Sequence, residues 1–527
     1  MSIVLNTALV VIFFGLMVYI GYYCRKHATN VDGFVLGGRS VGPWLTAFAF
    51  GTSYFSAVVF VGYAGQFGWS FGMASTWAGL GNAFIGSLLA WAVLGRRTRI
   101  MTQAIESRTM PDFFAKRFFS EQLKIVASVI VFVFLIPYTA SLYNGLSSLF
   151  QMAFGLPYWV CIVVMAALTA LYVIFGGYMA TAINDFIQGI IMLVGIVLVI
   201  GAVLASNGGL TEAVAALSQI DAGTGAQGAF TSFLGPDPLA LLFVVVLTSL
   251  GTWGLPQMVG KFYSIKNEDA VKKGTIISTL FAIVISGGCY FLGGFGRLYA
   301  DKISYSAAGA PLFDTIVPSM LGTLSPVVIA IVVVLVLSAS MSTLSSLVLT
   351  SSSTLTLDVI VPASKKQYTE KKQVSVMRLF ILFFIIVSAA IAILKDANPS
   401  FTFIAQMMGV SWGALAGAFL APFLFGLYWK RTSRASVWVC FVWGCGLEIF
   451  QLIYTLGGLH FESPFLSYIF ASSVRSGAVA MVVGILLVPL VSLFTKAPDR
   501  KRVDEMFSCY ERKVVVRATK AIGEDAK

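Results

Sequence analysis

A chain of 527 residues with 58% apolar and only 11% charged side chains cannot clothe two or three soluble domains, which carry about 25% charge. Its net charge of +12 lies in short loops beside apolar runs, which is a topology signal and excludes nucleic acid as a partner. Two histidines in loops expected on opposite sides (His27, His460), and six cysteines without a C-x-x-C pair, exclude a metalloenzyme and a disulfide framework, and no enzymatic activity is expected.

Apolar runs of about 20 residues, the length that crosses a hydrocarbon core, recur from end to end. An all-α polytopic membrane protein with about 13 spans is expected, near 4–23, 43–67, 73–94, 124–153, 158–176, 185–205, 239–260, 275–296, 326–353, 378–394, 400–427, 434–457 and 474–495. The first positive charges, Arg25 and Lys26, follow the first run, so no cleaved leader is expected and the amino terminus is placed outside. Alternate loops then hold 31 Lys and Arg inside, against Arg297, Lys302, Lys395 and Arg475 outside. A span too many or too few would scramble that bias. The odd count puts the tail from Lys496 in the cytoplasm, beside an inner, or plasma, membrane.

The second span carries Gly51-Thr-Ser-Tyr-Phe-Ser-Ala and ends in Gly62, Gly65 and Gly68; the seventh carries Gly251-Thr-Trp-Gly-Leu-Pro256-Gln. Glycine and proline free backbone carbonyls, which lipid tolerates only where protein or a water-filled cavity satisfies them. Paired interruptions at matching places in two halves point to inverted repeats around a midplane site, with spans 2–6 and 7–11 as the repeats. The alternative is that these glycines only allow close packing.

Asp185 opens the sixth span, where Asn184-Asp185 can cap the helix or Asp185 can hold an ion. In the ninth span, twelve of the nineteen residues from Ser338 to Thr356 are Ser or Thr. Ala339, Ser342, Thr343 and Ser346 share one helical face there. Such hydroxyls either bond within the helix bundle or offer neutral oxygens to a weakly held cation. Glu448 lies in the twelfth span, outside the repeats. Loops 96–124, 261–273 and 358–378 read as solvated cytoplasmic connections touching anionic headgroups.

Taken together, the chain resembles the sodium:solute symporter family, which includes bacterial proline, pantothenate, sialic-acid and galactose carriers. The marks run from about Val4 to Phe494: GFVLGGRSVGPW (33–44), SAVVFVGYAG (56–65), MPDFFAKRF (110–118), YVIFGGYMA (172–180), GLPQMVGKFYS (254–264), SASMSTLSSL (338–347) and LFGLYWKRTSRAS (424–436). The resemblance implies a five-plus-five inverted repeat with additional helices at both ends. The expected division is 1–42 (first span and loop), 43–206 (first repeat), 207–238 (outer loop), 239–428 (second repeat), 429–495 (two further spans) and 496–527 (tail). It also implies Na+ as coupling ion, held by the carbonyls of Thr52, Phe55 and Ala339 and the hydroxyls of Ser342 and Thr343. A second sodium, found in some relatives, would fall to Asp185, Ser342, Ser345 and Ser346.

The implied solute pocket is Tyr54, Val58, Val59, Tyr138, Trp253, Gln257, Gln406 and Trp412, aromatic and apolar with a few neutral polar groups. Proline carriers have an Asp where this chain has Tyr54 and a Trp where it has Val59. Galactose carriers have Glu-Gln at Val58-Val59, and sialic-acid carriers use an arginine that the fourth span lacks. A sugar needs more hydrogen-bond partners than this pocket supplies, so a small amino acid such as proline, or a short carboxylate, is expected to be imported with sodium by alternating access. Sugar or pantothenate symport remains open. A membrane sensor of the same fold is disfavoured by a tail too short for a signalling domain, and a passive channel by the absence of a charged ring. Solute, sodium and lipid are the expected partners; the sequence does not set the oligomeric state.

Overall fold

The computed structural model describes residues 2–223, 227–306, 309–364, 367–397 and 404–511; the end of the tail, 512–527, lies outside them. The described residues are helical almost throughout, and the only extended pairings among them are two isolated bridges, Val41 with Ile265 and Tyr305 with Pro311. Ten helices are long and apolar enough to cross a membrane, and Pro238–Trp253 with Pro256–Ser264 forms an eleventh span bent by 40°. Two of the ten, Val58–Ala104 with 47 residues and Tyr158–Ser206 with 49, would each measure about 70 Å if straight, more than twice a bilayer core. Each is interrupted by a glycine in a conformation closed to other residues: Gly72 (φ 61°, ψ −137°) and Gly177 (φ 56°, ψ −151°). Counted as two crossings each, they bring the total to the thirteen expected.

The break in the second span falls inside the expected stretch from Gly51 to Ala57, and not at Gly62, Gly65 or Gly68. Helix Pro43–Tyr54 stops at Phe55 (φ −102°, ψ 88°) and the chain resumes as Val58–Tyr63. Ser56 stabilises the restart, its Oγ accepting from the Val58 N–H at 3.2 Å. The glycines further along serve close approach instead. A Cβ on Gly68 would lie 1.9 Å from the Gly293 carbonyl oxygen, and one on Gly65 would lie 2.8 Å from that of Phe313. For these glycines the packing alternative holds. In the seventh span the break is where proline predicts it: Gly254 and Leu255 separate the halves, and Pro256 is the first residue of the second.

Two further expectations are corrected. The seventh span continues to Ser264, so Lys261 belongs to a helix and is 3% exposed, not part of a solvated loop. The helix restarts at Pro256, deep in the protein, so a charge five residues later has not yet reached the surface. Asp185 does not open a helix either: it lies two turns beyond Gly177 inside Tyr158–Ser206, fully buried, and caps nothing.

Candidate functional site

The break at Phe55 withdraws the Thr52 carbonyl from the helical ladder and leaves it in need of donors. The ninth span, Pro326–Leu355, supplies them. Ser342 Oγ lies 3.1 Å from Thr52 O and 3.2 Å from Ala339 O, and Thr343 Oγ1 lies 3.1 Å and 3.2 Å from the same two carbonyls. Each hydroxyl carries one proton and two lone pairs, so it shares its proton between carbonyls and keeps lone pairs for a further partner. Four of the five expected main-site ligands thus form one buried oxygen cluster between a broken helix and the hydroxyl-rich helix. Phe55, the fifth, borders a small cavity together with Ser56, Leu335 and Ala339.

The second expected group is arranged around a side chain absent from the sequence-based set. Lys261 Nζ donates to Ser346 Oγ at 2.8 Å and lies 3.8 Å from Asp185 Oδ2. The face of the Tyr178 ring is on another side, its centre 5.3 Å from Nζ. Ser53 Oγ is 2.7 Å from Ser346 Oγ, joining this group to the broken second span. Ser345 Oγ donates to the Ser342 carbonyl at 2.9 Å, within its own helix. The signal for Lys261 is present in GLPQMVGKFYS: Gln257 and Lys261 are four apart, on one face of the half-helix that Pro256 begins. A cavity of about 50 Å³ reaches both of them and Ser346, and extends to Arg108, Thr109 and Thr354.

Three of the expected solute residues meet as an aromatic group. The Trp412 ring centre is 6.0 Å from that of Tyr54 and 6.0 Å from that of Tyr138, the latter edge-on. Tyr54 is fixed by its hydroxyl, which donates to the Thr248 carbonyl at 2.6 Å, and stacks on Phe55 at 4.2 Å. Val58 and Val59 are buried at the start of the restarted helix. Gln257 is 2% exposed, and neither end of its amide has a hydrogen-bond partner among the described residues. Buried amides are nearly always paired, so Gln257 is the strongest polar candidate for a solute contact. Trp253 instead spends its indole N–H on the Ile85 carbonyl, at 3.0 Å. Gln406 sits beside the thirteenth span, where its backbone carbonyl accepts from Ser473 Oγ at 3.1 Å.

A model of the sodium:solute symporter family matches residues 34–442. The osmoregulated proline transporter OpuE of Bacillus subtilis (strain 168) is 30% identical over 492 residues, which cover 93% of this chain and 94% of that protein. A sodium/proline symporter of Staphylococcus aureus (strain JH9) is 30% identical over 501 residues, 93% of each chain. Among solved structures, a Na+-coupled sialic acid symporter in a substrate-bound outward-open state superposes with a TM-score of 0.72 at 17% identity. That match covers 94% of this chain and 99% of the other, and it speaks for the fold.

Proposed function

The chain belongs to the sodium:solute symporter family, and on that premise we propose that it imports proline together with sodium. The single observation that carries the coupling is the oxygen cluster of Thr52, Ala339, Ser342 and Thr343. Its members come from two elements that must separate for the site to open, so an ion bridging them stabilises one arrangement of the spans over another. Such differential binding is the requirement for coupling. Phe55 completes the set through its carbonyl. Neutral oxygens without a carboxylate hold a monovalent ion strongly enough to bind and weakly enough to release.

Proline is favoured over a sugar because Tyr54, Tyr138 and Trp412 form a buried aromatic group, and the Gln257 amide, which lines the cavity beside Lys261, has no hydrogen-bond partner among the described residues. The two relatives named for proline support the same choice. Tyr54 and Val59 depart from the proline carriers' pattern, so recognition here rests on aromatic faces and one amide in place of a carboxylate. The broken second and seventh spans begin the two repeats, 43–206 and 239–428, and the carrier sits in the plasma membrane with its amino terminus outside. Purified protein in sodium-loaded and sodium-free proteoliposomes tests this directly. Uphill proline accumulation driven by an inward sodium gradient, absent with potassium, is the expected result; sodium-driven uptake of a sugar or pantothenate but not proline would replace the solute.

A further inference from the structure

Asp185, Ser345 and Ser346 are the residues that a second sodium would use, yet the nearest positive charge to them belongs to the chain itself. Lys261 comes from the seventh span, Asp185 from the sixth and Ser346 from the ninth, and they meet where all three are at most 4% exposed. An ammonium presents three N–H donors and no acceptor. Here it directs one to Ser346 Oγ at 2.8 Å, with the Asp185 carboxylate at 3.8 Å and the Tyr178 ring face beyond. Neither Asp185 oxygen has a hydrogen bond among the described residues. The carboxylate therefore relies on charge compensation from Lys261, not on donors from its own helix.

A sodium ion would need the same acceptors. With Lys261 in place, adding it would leave two positive charges beside one carboxylate, in a setting where unpaired buried charge is strongly disfavoured. With Lys261 removed, Asp185 and Ser346, with Ser53 bonded to Ser346, would present a carboxylate and hydroxyl oxygens where the ammonium now lies, a donor set suited to a hard monovalent ion.

Building on the sodium-coupled reading above, on which this rests, we propose that Lys261 is a tethered cation that fills the second cation position, so that this carrier binds and moves one sodium per solute. The lysine travels with the half-helix and never dissociates. It keeps Asp185 neutralised through the transport cycle without adding to the driving force.

Equilibrium binding of radioactive sodium to purified protein tests this with the wild type, Lys261→Gln and Lys261→Gln/Asp185→Asn. The wild type is expected to bind one saturable sodium per chain, Lys261→Gln two, and the double variant one. Thermal unfolding in sodium against choline gives a second readout, with the largest sodium-dependent rise in midpoint expected for Lys261→Gln. Ser342→Ala serves as the separate arm for the main site: if it leaves the wild-type ion in place, the main-site assignment fails while the gain at Lys261→Gln still reads the tethered cation. Two saturable ions in the wild type, or no additional ion in folded Lys261→Gln, would overturn the proposal. So would a Lys261→Gln protein that sodium cannot stabilise although the double variant folds. Loss of folding in both variants would assign Lys261 to helix packing and overturn it equally.

Discussion

Ser342 Oγ lies 3.1 Å from the carbonyl oxygen of Thr52, a contact that spans 290 positions of sequence and joins the hydroxyl-rich ninth span to the break in the second. Removing that hydroxyl by Ser342→Ala, or its neighbour by Thr343→Ala, takes a contact from the bound cation. A hydrogen-bond-scale contact to a charge is worth about 1.5–3 kcal/mol, so the sodium half-saturation of proline uptake should rise roughly ten- to a hundredfold. Proline affinity should fall through linkage alone. Sodium titrations of initial uptake rates check both, and unchanged sodium dependence in both variants would return these hydroxyls to packing.

Gln257 and Trp253 lie within five residues and are both expected in the solute pocket, yet their surroundings separate them. The Gln257 amide is buried with neither end hydrogen-bonded among the described residues, whereas the Trp253 N–H is committed to Ile85. Gln257→Leu keeps the size and should raise the proline KM about tenfold, the cost of one or two neutral hydrogen bonds. Trp253→Phe should lower the thermal midpoint and leave KM near the wild-type value. Equal KM effects in both would place Trp253 in the pocket as well.

How much of this is visible in the sequence follows from what each feature depends on. Thirteen spans and the Ser/Thr-rich helix are properties of composition, and they are found as expected. The cluster around Thr52 is accessible through the family resemblance, because its residues fall inside matching motifs. The break falls inside the stretch from Gly51 to Ala57 read as interrupted, but neither glycine nor proline marks Phe55 itself, and Gly65 and Gly68 serve contacts with Phe313 and Gly293. Lys261 is misplaced because the depth of a charge is judged by counting from a span's end, and a 40° bend resets that count. Position in the chain groups Trp253 with the pocket, while its indole N–H is committed to the Ile85 carbonyl.

The contact between Gly68 and Gly293 yields a stability test. Each glycine lets the other's backbone approach: a Cβ on Gly293 would lie 2.1 Å from Ala64 O, as one on Gly68 would lie 1.9 Å from Gly293 O. Backbone cannot give way as a flexible side chain can, so Gly68→Ala and Gly293→Ala should each cost about 1–3 kcal/mol or more. A Cβ added at Gly201 would meet nothing within 4 Å, and Gly201→Ala should be neutral or slightly stabilising. Thermal unfolding in detergent compares the three; equal midpoints would mean that the second and eighth spans are not held together at this point.

Orientation follows from the distribution of Lys and Arg and is open to a direct check. Asp221 lies in the long loop after the sixth span, and Arg500, whose side chain is 94% exposed, opens the short helix Arg500–Phe507 after the thirteenth. Single cysteines at these two positions, in a background lacking the six native cysteines, should differ in intact cells. A membrane-impermeant maleimide should reach Asp221→Cys and leave Arg500→Cys untouched until the membrane is opened. Labelling of both, or the reverse pattern, would overturn the thirteen-span arrangement.

A tethered cation also sets a ceiling on what the carrier can accumulate. At about −100 mV, one entering sodium releases about 2.3 kcal/mol, and a tenfold sodium gradient adds about 1.4 kcal/mol. The sum, about 3.7 kcal/mol per sodium, supports roughly a 500-fold gradient of a solute without net charge, such as zwitterionic proline. Two sodium ions would support roughly 10⁵-fold. Lys261 supplies charge to Asp185 without crossing the membrane as cargo, so the wild type should stop near or below the lower limit, leak included. Proteoliposomes clamped by a potassium diffusion potential, with proline followed to its plateau, measure that limit. A plateau well above about 500-fold would require a second moving ion and would displace Lys261 from the role given to it, whereas Lys261→Gln should be able to pass the wild-type limit if the added sodium is also transported.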